Sequence, residues 1–549
     1  MRSQTICRRR ASAVLTLSIL FPAIAGGAPR DSVTVAIDTR ATRPLRPGLL
    51  GCNQNFMTRP YGYETPQVIA LTRELRLSLL RYPAGGQSNI WDWEAADYMP
   101  AEAVAAMRQA QHASGFQPQN EAEGGETAHQ YIDTRHPNKG LSVDSFMAFC
   151  ARMDPPLQPL WVANVLTGSP EKSAAWVAYN KQKGYPNGLW ELGNEHYLRG
   201  SKFKYPTAAD YLREGEAHAK AMRAADPTAR ISVTAAEIHK LGSFQGAELS
   251  DVEAVLLAWN EGLAKGSFYD SISVHDYFPI SQAQALAASE DTMYRFLMAR
   301  VPVQFPILVD YYRKTFGADV KMWITEWNIS PLYKRYGDPA ARRSHPVRIL
   351  KSLAHCLYVA DWLLTATDYP DTVELACLHV LAADYARGLF GGEPPEEQNL
   401  DKPFVRTPPF QAMRMLGKAW QGSDATAAPA LEGVEGMSGG LDLEDYSFPA
   451  MTVRVFLKGR QPRALVAINK SAEPRALTVT VDGKPLSGKV WQETLTAPER
   501  IEGFGKPAAE DENRWRPNVS VETRNAAADP IVAPAYSLSV IRLVGAPGD

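Results

Sequence analysis

Between residues 47 and 420 the chain alternates short apolar runs with longer amphipathic stretches, and this alternation restricts the fold more than any other feature. The runs fall at residues 49–53, 77–81, 157–164, 189–192, 231–235, 271–275, 321–325 and 373–380. Each has the length and composition of a buried strand, and a helical pattern follows most of them. Ser169-Pro170-Glu171 supplies a capping hydroxyl, a proline at the first helical position and an acid in the first turn, while Thr207 caps a run reaching about Ala225. Eight strand–helix units in one continuous stretch predict an α/β fold, a (β/α)8 TIM barrel, in preference to an open sheet. Residues 98–139 are long, polar and rich in Gly and Gln for a strand–helix connection, and predict an elaborated loop over the active-site face.

The flanks differ from this pattern. Beyond Trp420 the runs at residues 453–457, 464–469, 476–481, 489–494 and 537–543 alternate with turn residues and show no helical period. They predict a C-terminal β-sandwich domain over 421–549, with a strand from residues 33–45 joining its sheet. At the other end Arg8, Arg9 and Arg10 precede an apolar run, and Ala23-Ile24-Ala25 offers a cleavage site. Residues 1–25 therefore read as a signal peptide, too short to span a bilayer, which implies a periplasmic or extracellular protein with no membrane attachment after cleavage. The formal net charge of −2 argues against a nucleic-acid partner, and losing a leader with four arginines makes the balance more acidic. Cys52, Cys150, Cys356 and Cys377 are widely spaced, so no metal site is implied; Cys150 and Cys356 sit in apolar helical patterns, as buried thiols do. No organic cofactor is implied either.

Chemistry concentrates where the predicted strands end. The fourth closes in Trp190-Glu191-Leu192-Gly193-Asn194-Glu195 and the seventh in Trp323-Ile324-Thr325-Glu326-Trp327-Asn328. Barrel enzymes build their sites at this end, and carboxylates on the fourth and seventh strands face each other across the mouth. Such a pair, about 5–5.5 Å apart, cleaves a glycosidic bond with retention, one acid protonating the leaving oxygen and the other attacking the anomeric carbon.

These motifs resemble those of glycoside hydrolase clan A, and most closely the family 51 α-L-arabinofuranosidases, with family 39 a near neighbour. Arg81-Tyr82-Pro83-Ala84-Gly85-Gly86, leading to Trp91-Asp92-Trp93-Glu94, is similar to a family segment, and the likeness continues through residues 142–150, 162–179 and 535–540. The resemblance implies that Glu195 is the acid/base, Glu326 the nucleophile, and Asn194 a partner of the sugar 2-hydroxyl. It implies that Tyr277, beside His275 in Ser273-Val274-His275-Asp276-Tyr277, orients the nucleophile. Arg81 is expected to support the Glu326 carboxylate by charge pairing, and Trp93, Trp190 and Trp327 to offer faces to sugar rings. The chain departs from the family at two points: Asn55 stands where a sugar-binding glutamate is expected, and Gly86 where an asparagine is. Both lie in the sugar-recognition shell. An α-L-arabinofuranosidase acting on polysaccharide or oligosaccharide is the leading expectation, with a β-xylosidase, β-glucanase or β-glucuronidase-type enzyme as alternatives. A catalytically inactive carbohydrate-binding barrel is the alternative of another class, and transglycosylation would use the same glutamates.

Overall fold

The computed structural model describes residues 32–57, 59–115, 140–238, 251–281, 288–332, 345–382, 388–391, 403–501, 504, 519–527 and 530–543. The signal peptide expected at residues 1–25 and the expected loop's residues 116–139 lie outside them. Eight parallel strands close a barrel in chain order: Gly51–Cys52, Leu79–Tyr82, Gln158–Ala163, Leu189–Leu192, Arg230–Thr234, Ser271–Ser281, Met322–Leu332 and Val373–Leu378. The eighth strand pairs with the first, Cys377 opposite Gly51, so no edge remains. Leu79, Leu160, Leu189, Trp323, Leu375 and Cys377 fill the floor of the barrel and exclude water beneath the site.

Local sequence sets the helices around it. Ser169 accepts from the Lys172 amide and starts the helix Pro170–Lys183, which Gly184 ends in a left-handed turn. Thr207 and Asp210 form a reciprocal capping box at the start of Ala208–Ala225. Two expectations need correction. Residues 101–113 of the anticipated loop form a helix, Ala101–Ala113, because Val104, Met107 and Gln111 recur at helical spacing and are buried. The sixth and seventh strands also run well past the expected ends at residues 275 and 325. They pair residue for residue as far as Ser281 and Leu332, since buried Phe278, Ile280 and Ile329 continue an apolar side beyond the rim.

Apart from three two-stranded ribbons, the remaining described strands form two facing sheets. Ser32–Ile37 pairs parallel with Arg475–Val481 and antiparallel with Ala430–Glu432. The larger sheet contains Met451–Lys458, Gln461–Asn469, Ser537–Leu543, Lys489–Thr496 and Ser520–Ala527. Val33, Val35, Val453, Val455, Leu465, Leu477 and Ile541 pack together between the sheets. Helices Leu353–Ala366 and Pro408–Trp420 carry the larger sheet on the barrel. Their contact includes a buried ion pair of Lys470 with Asp361 at 2.7 Å, where Asp361 also accepts from Thr452 at 2.6 Å. All four described cysteines are buried thiols. No helix among the described residues is long and apolar enough to cross a membrane.

Candidate active site

Two carboxylates meet at the C-terminal mouth of the barrel through a shared histidine. His275 Nδ1 lies 2.8 Å from Glu195 Oε1 and 3.9 Å from Glu326 Oε2. A single nitrogen that reaches both keeps these oxygens within about 7 Å, which accommodates the ~5–5.5 Å of a retaining pair. Glu326 is the deeper of the two, with 8% of its side chain exposed against 25% for Glu195.

Glu326 is heavily partnered. Arg81 Nη1 donates to Oε1 at 2.6 Å, Asn53 Nδ2 donates to the same oxygen at 3.1 Å, and the Tyr277 hydroxyl donates to Oε2 at 2.5 Å. His379 Nδ1 stands 3.6 Å from Oε2. Burial alone works to raise the Glu326 pKa, but the charges of His275, His379 and Arg81 and the Tyr277 hydroxyl outweigh it and hold the carboxyl well below the usual range. Burial likewise works to lower the His275 pKa. Glu326 and Glu195 outweigh that and push it up to about 9, so the ring is an imidazolium at neutral pH.

Arg81 is completely buried on the second strand and serves three acceptors. Its Nε donates to Glu191 at 2.8 Å, and its Nη2 to Asn194 Oδ1 at 2.9 Å, besides the bond to Glu326. Thr325 donates to the other Glu191 oxygen at 3.0 Å. Thr325 and Glu326 are consecutive yet both turn toward the interior, which an ordinary strand forbids. The register between the sixth and seventh strands shifts here, Val274 facing Ile324 and His275 facing Glu326, and this irregularity re-aims the side chain. Asp276, between His275 and Tyr277, points outward, where Arg300 and the Trp362 indole donate to it at 2.8 and 2.7 Å. That anchor fixes the strand that presents the two inward rings.

The loop after the fourth strand is held as firmly. Asn89 grips the Asn194 backbone from both sides, donating to its carbonyl at 2.8 Å and accepting from its amide at 2.9 Å. Gly193 (φ 74°) and Glu195 (φ 51°) both adopt left-handed conformations. At Gly193 a side chain would collide with His196, so only glycine fits.

Glu195, Glu326, Asn194, His275, Tyr277 and Arg81 thus converge. The proposed sugar platforms do not. Trp327 is fully buried and stacked at 3.9 Å on Trp362, because it occupies the outward face of its strand, and Trp190 is buried against Trp161 and Trp176. Trp93 stacks at 5.8 Å on Trp176 and donates to the Lys172 carbonyl at 3.2 Å, which makes it packing for the helix Pro170–Lys183. Among the described residues no hydrogen bond joins Asn55 to either glutamate. Its Oδ1 is buried without a hydrogen bond among the described residues, and Asn53, two residues earlier, holds the nucleophile. Asn53, Asn89, Glu191 and His379 were not singled out from the sequence. Glu191 had a signal, since an acid inside the apolar run Leu189–Leu192 must find a buried partner.

The chain is similar in fold to solved glycosidases. The α-L-arabinofuranosidase of Thermotoga maritima, in an arabinose complex, superposes with a TM-score of 0.62 at 17% identity, covering 93% of this chain and 99% of that one. The chain has the fold of the family 51 arabinofuranosidases. That of Xanthomonas axonopodis pv. citri matches at 0.63 and 15% identity over 93% and 100% of the two chains. A 4-O-α-L-rhamnosyl-β-D-glucuronidase of Fusarium oxysporum 12S matches at 0.54 and 15% identity, again over 93% and 100%. No protein-family model and no curated protein matches the sequence.

Proposed function

We propose that this chain is an exported retaining glycoside hydrolase in which Glu326 is the nucleophile and Glu195 the general acid and base. The observation that carries the reading is the placement of His275 between a deeply held Glu326, bonded by Arg81, Asn53 and Tyr277, and a more open Glu195. Arg81, Asn53 and the close approach of Gly85 occupy the Oε1 side of Glu326, so Oε2 is the attacking oxygen. It bonds to the anomeric carbon as the bond to the leaving oxygen breaks and Glu195 supplies that oxygen with a proton. In the second step Glu195 takes a proton from water, the water oxygen bonds to the anomeric carbon, and the bond to Glu326 breaks. Glu191 gives Arg81 a second counter-ion, so its charge is not stranded while Glu326 is esterified. Asn194 spends its side-chain oxygen Oδ1 on Arg81 and keeps its NH2 without a partner among the described residues, suited to a sugar hydroxyl.

α-L-Arabinofuranosides of plant polysaccharide or oligosaccharide are the proposed substrates, supported by the likeness to arabinofuranosidase structures. Export is supported by the leader at residues 1–25. The test is a panel of 4-nitrophenyl arabinofuranoside, xyloside, glucoside, galactoside and glucuronide, with the anomeric configuration of the first product read by NMR. Retention on the arabinofuranoside is expected. An inverted first product would remove the mechanism, and preference for another sugar would remove the substrate.

A further inference from the structure

Resting on the glycosidase reading above, we propose that Tyr197 is a positioning residue for the general acid. With His275 it occupies Glu195 Oε1 and leaves Oε2 as the oxygen that carries the transferable proton. The Tyr197 hydroxyl lies 3.3 Å from Oε1, and His275 Nδ1 lies 2.8 Å from the same atom. Oε2 has no hydrogen bond to any described residue. A carboxylic acid carries one hydrogen, and an oxygen that already accepts from two donors is the poorer place for it. The proton therefore resides on Oε2, the oxygen left open for the leaving group and, one step later, for water.

The loop geometry directs Tyr197 to this task. The left-handed turn through Gly193 and Glu195, closed by the Leu198 amide donating to the Glu195 carbonyl at 3.0 Å, folds residue 197 back over residue 195. His196, between them, turns the other way to meet Ser201 at 3.2 Å. Tyr197 is 3% exposed, so it acts on substrate only through Glu195. Burial, and then the charge of Glu195, push the Tyr197 pKa well above its ordinary value, so the phenol remains a neutral donor at every working pH.

The experiment is Tyr197→Phe, which keeps the ring and removes the hydroxyl, assayed on phenyl and 2,4-dinitrophenyl α-L-arabinofuranosides, or on the same aryl pair of whichever panel sugar the wild type cleaves. A lost hydrogen bond to a catalytic carboxyl predicts a fall of about tenfold in kcat/KM on the phenyl glycoside and less than about threefold on the dinitrophenyl one, whose departure needs no proton. The alkaline limb of kcat/KM should also move to higher pH, because a donor to the ionised acid is gone. Glu195→Ala on the same pair is the control. If it discriminates between the leaving groups and Tyr197→Phe does not, the role of Tyr197 is overturned while the acid/base assignment stands. Equal losses for Glu195→Ala on both substrates, or a wild type inert on all the sugars, overturn the glycosidase reading and this inference with it. Replacing Tyr197 with 3,5-difluorotyrosine gives a second readout in a protein that keeps every contact. An unchanged alkaline limb there would also count against the proposal.

Discussion

At the scale of single residues, the site separates two glutamates by what surrounds them. Glu326 sits among Arg81, Asn53, Tyr277 and His275, whereas the Glu195 carboxyl, among the described residues, bonds only to His275 and Tyr197 and opens to the cleft. Replacing Glu326 by alanine should cut turnover on the order of 10^4-fold or more. Azide or formate should restore part of it, because a small anion fits the vacated space beside Arg81 and attacks from the same face, giving a product of inverted configuration. Near-wild-type turnover without added anion would remove the nucleophile assignment. His275 makes a pH prediction. Its folded pKa, about 9, lies above the 6.5 of an unperturbed histidine. Its stabilising contribution is therefore complete below pH 6.5 and is lost as pH rises through about 9. Thermal melts of the wild type should decline across that window, and those of His275→Gln should decline less. Parallel curves would show that His275 is not charged in the folded protein.

At the scale of elements, the site depends on how closely the turn after the second strand approaches the seventh. Gly85 has no side chain because Glu326 fills the space: a Cβ there would overlap Oε1. The requirement at this position is room beside the carboxylate. Gly85→Ala should lower kcat/KM by about 100-fold or more, the scale expected when a reacting group is misplaced by about 1 Å, while the melting temperature changes little. A large thermal loss with intact kcat/KM would mean that the turn, not the carboxylate, gives way. The irregular pairing at Val274 and His275 works at the same scale, since it lets Thr325 serve Glu191 and Glu326 serve the cleft.

At the scale of the whole molecule, strand Ser32–Ile37 belongs to one sheet of the sandwich, the barrel follows, and the later strands complete both sheets. The two bodies are joined by more than apolar contact. Arg414 and Lys418 on helix Pro408–Trp420 pair with buried Glu493, and Lys470 pairs with Asp361. Lys470 and Asp361 are almost wholly buried, so Asp361→Ala strands a cation and should cost about 3–5 kcal/mol. Denaturant unfolding would show this as a lower midpoint with a single transition. A loss below about 1 kcal/mol, the range of exposed pairs, would show that water reaches the pair.

Periodicity and capping determined the barrel, since alternation of apolar runs and hydroxyl caps acts over a few residues and is written along the chain. All eight barrel strands were legible in this way, as were the two glutamates, whose motifs sit at strand ends. Which faces those strands present was not legible. Trp327 looked available as a sugar platform, but register and the irregularity beside it put its ring against Trp362. Asn55 looked like the sugar contact, yet pairing of the first and eighth strands brings Asn53 to Glu326 and His379. Arg81, Glu191 and Glu326 come from three different strands, separated by more than a hundred residues. Their charges are compensated only once the barrel closes. The sequence by itself determined which elements form and which carboxylates stand at their ends. Tertiary structure alone decided their partners, because burial and pairing depend on neighbours that are distant along the chain.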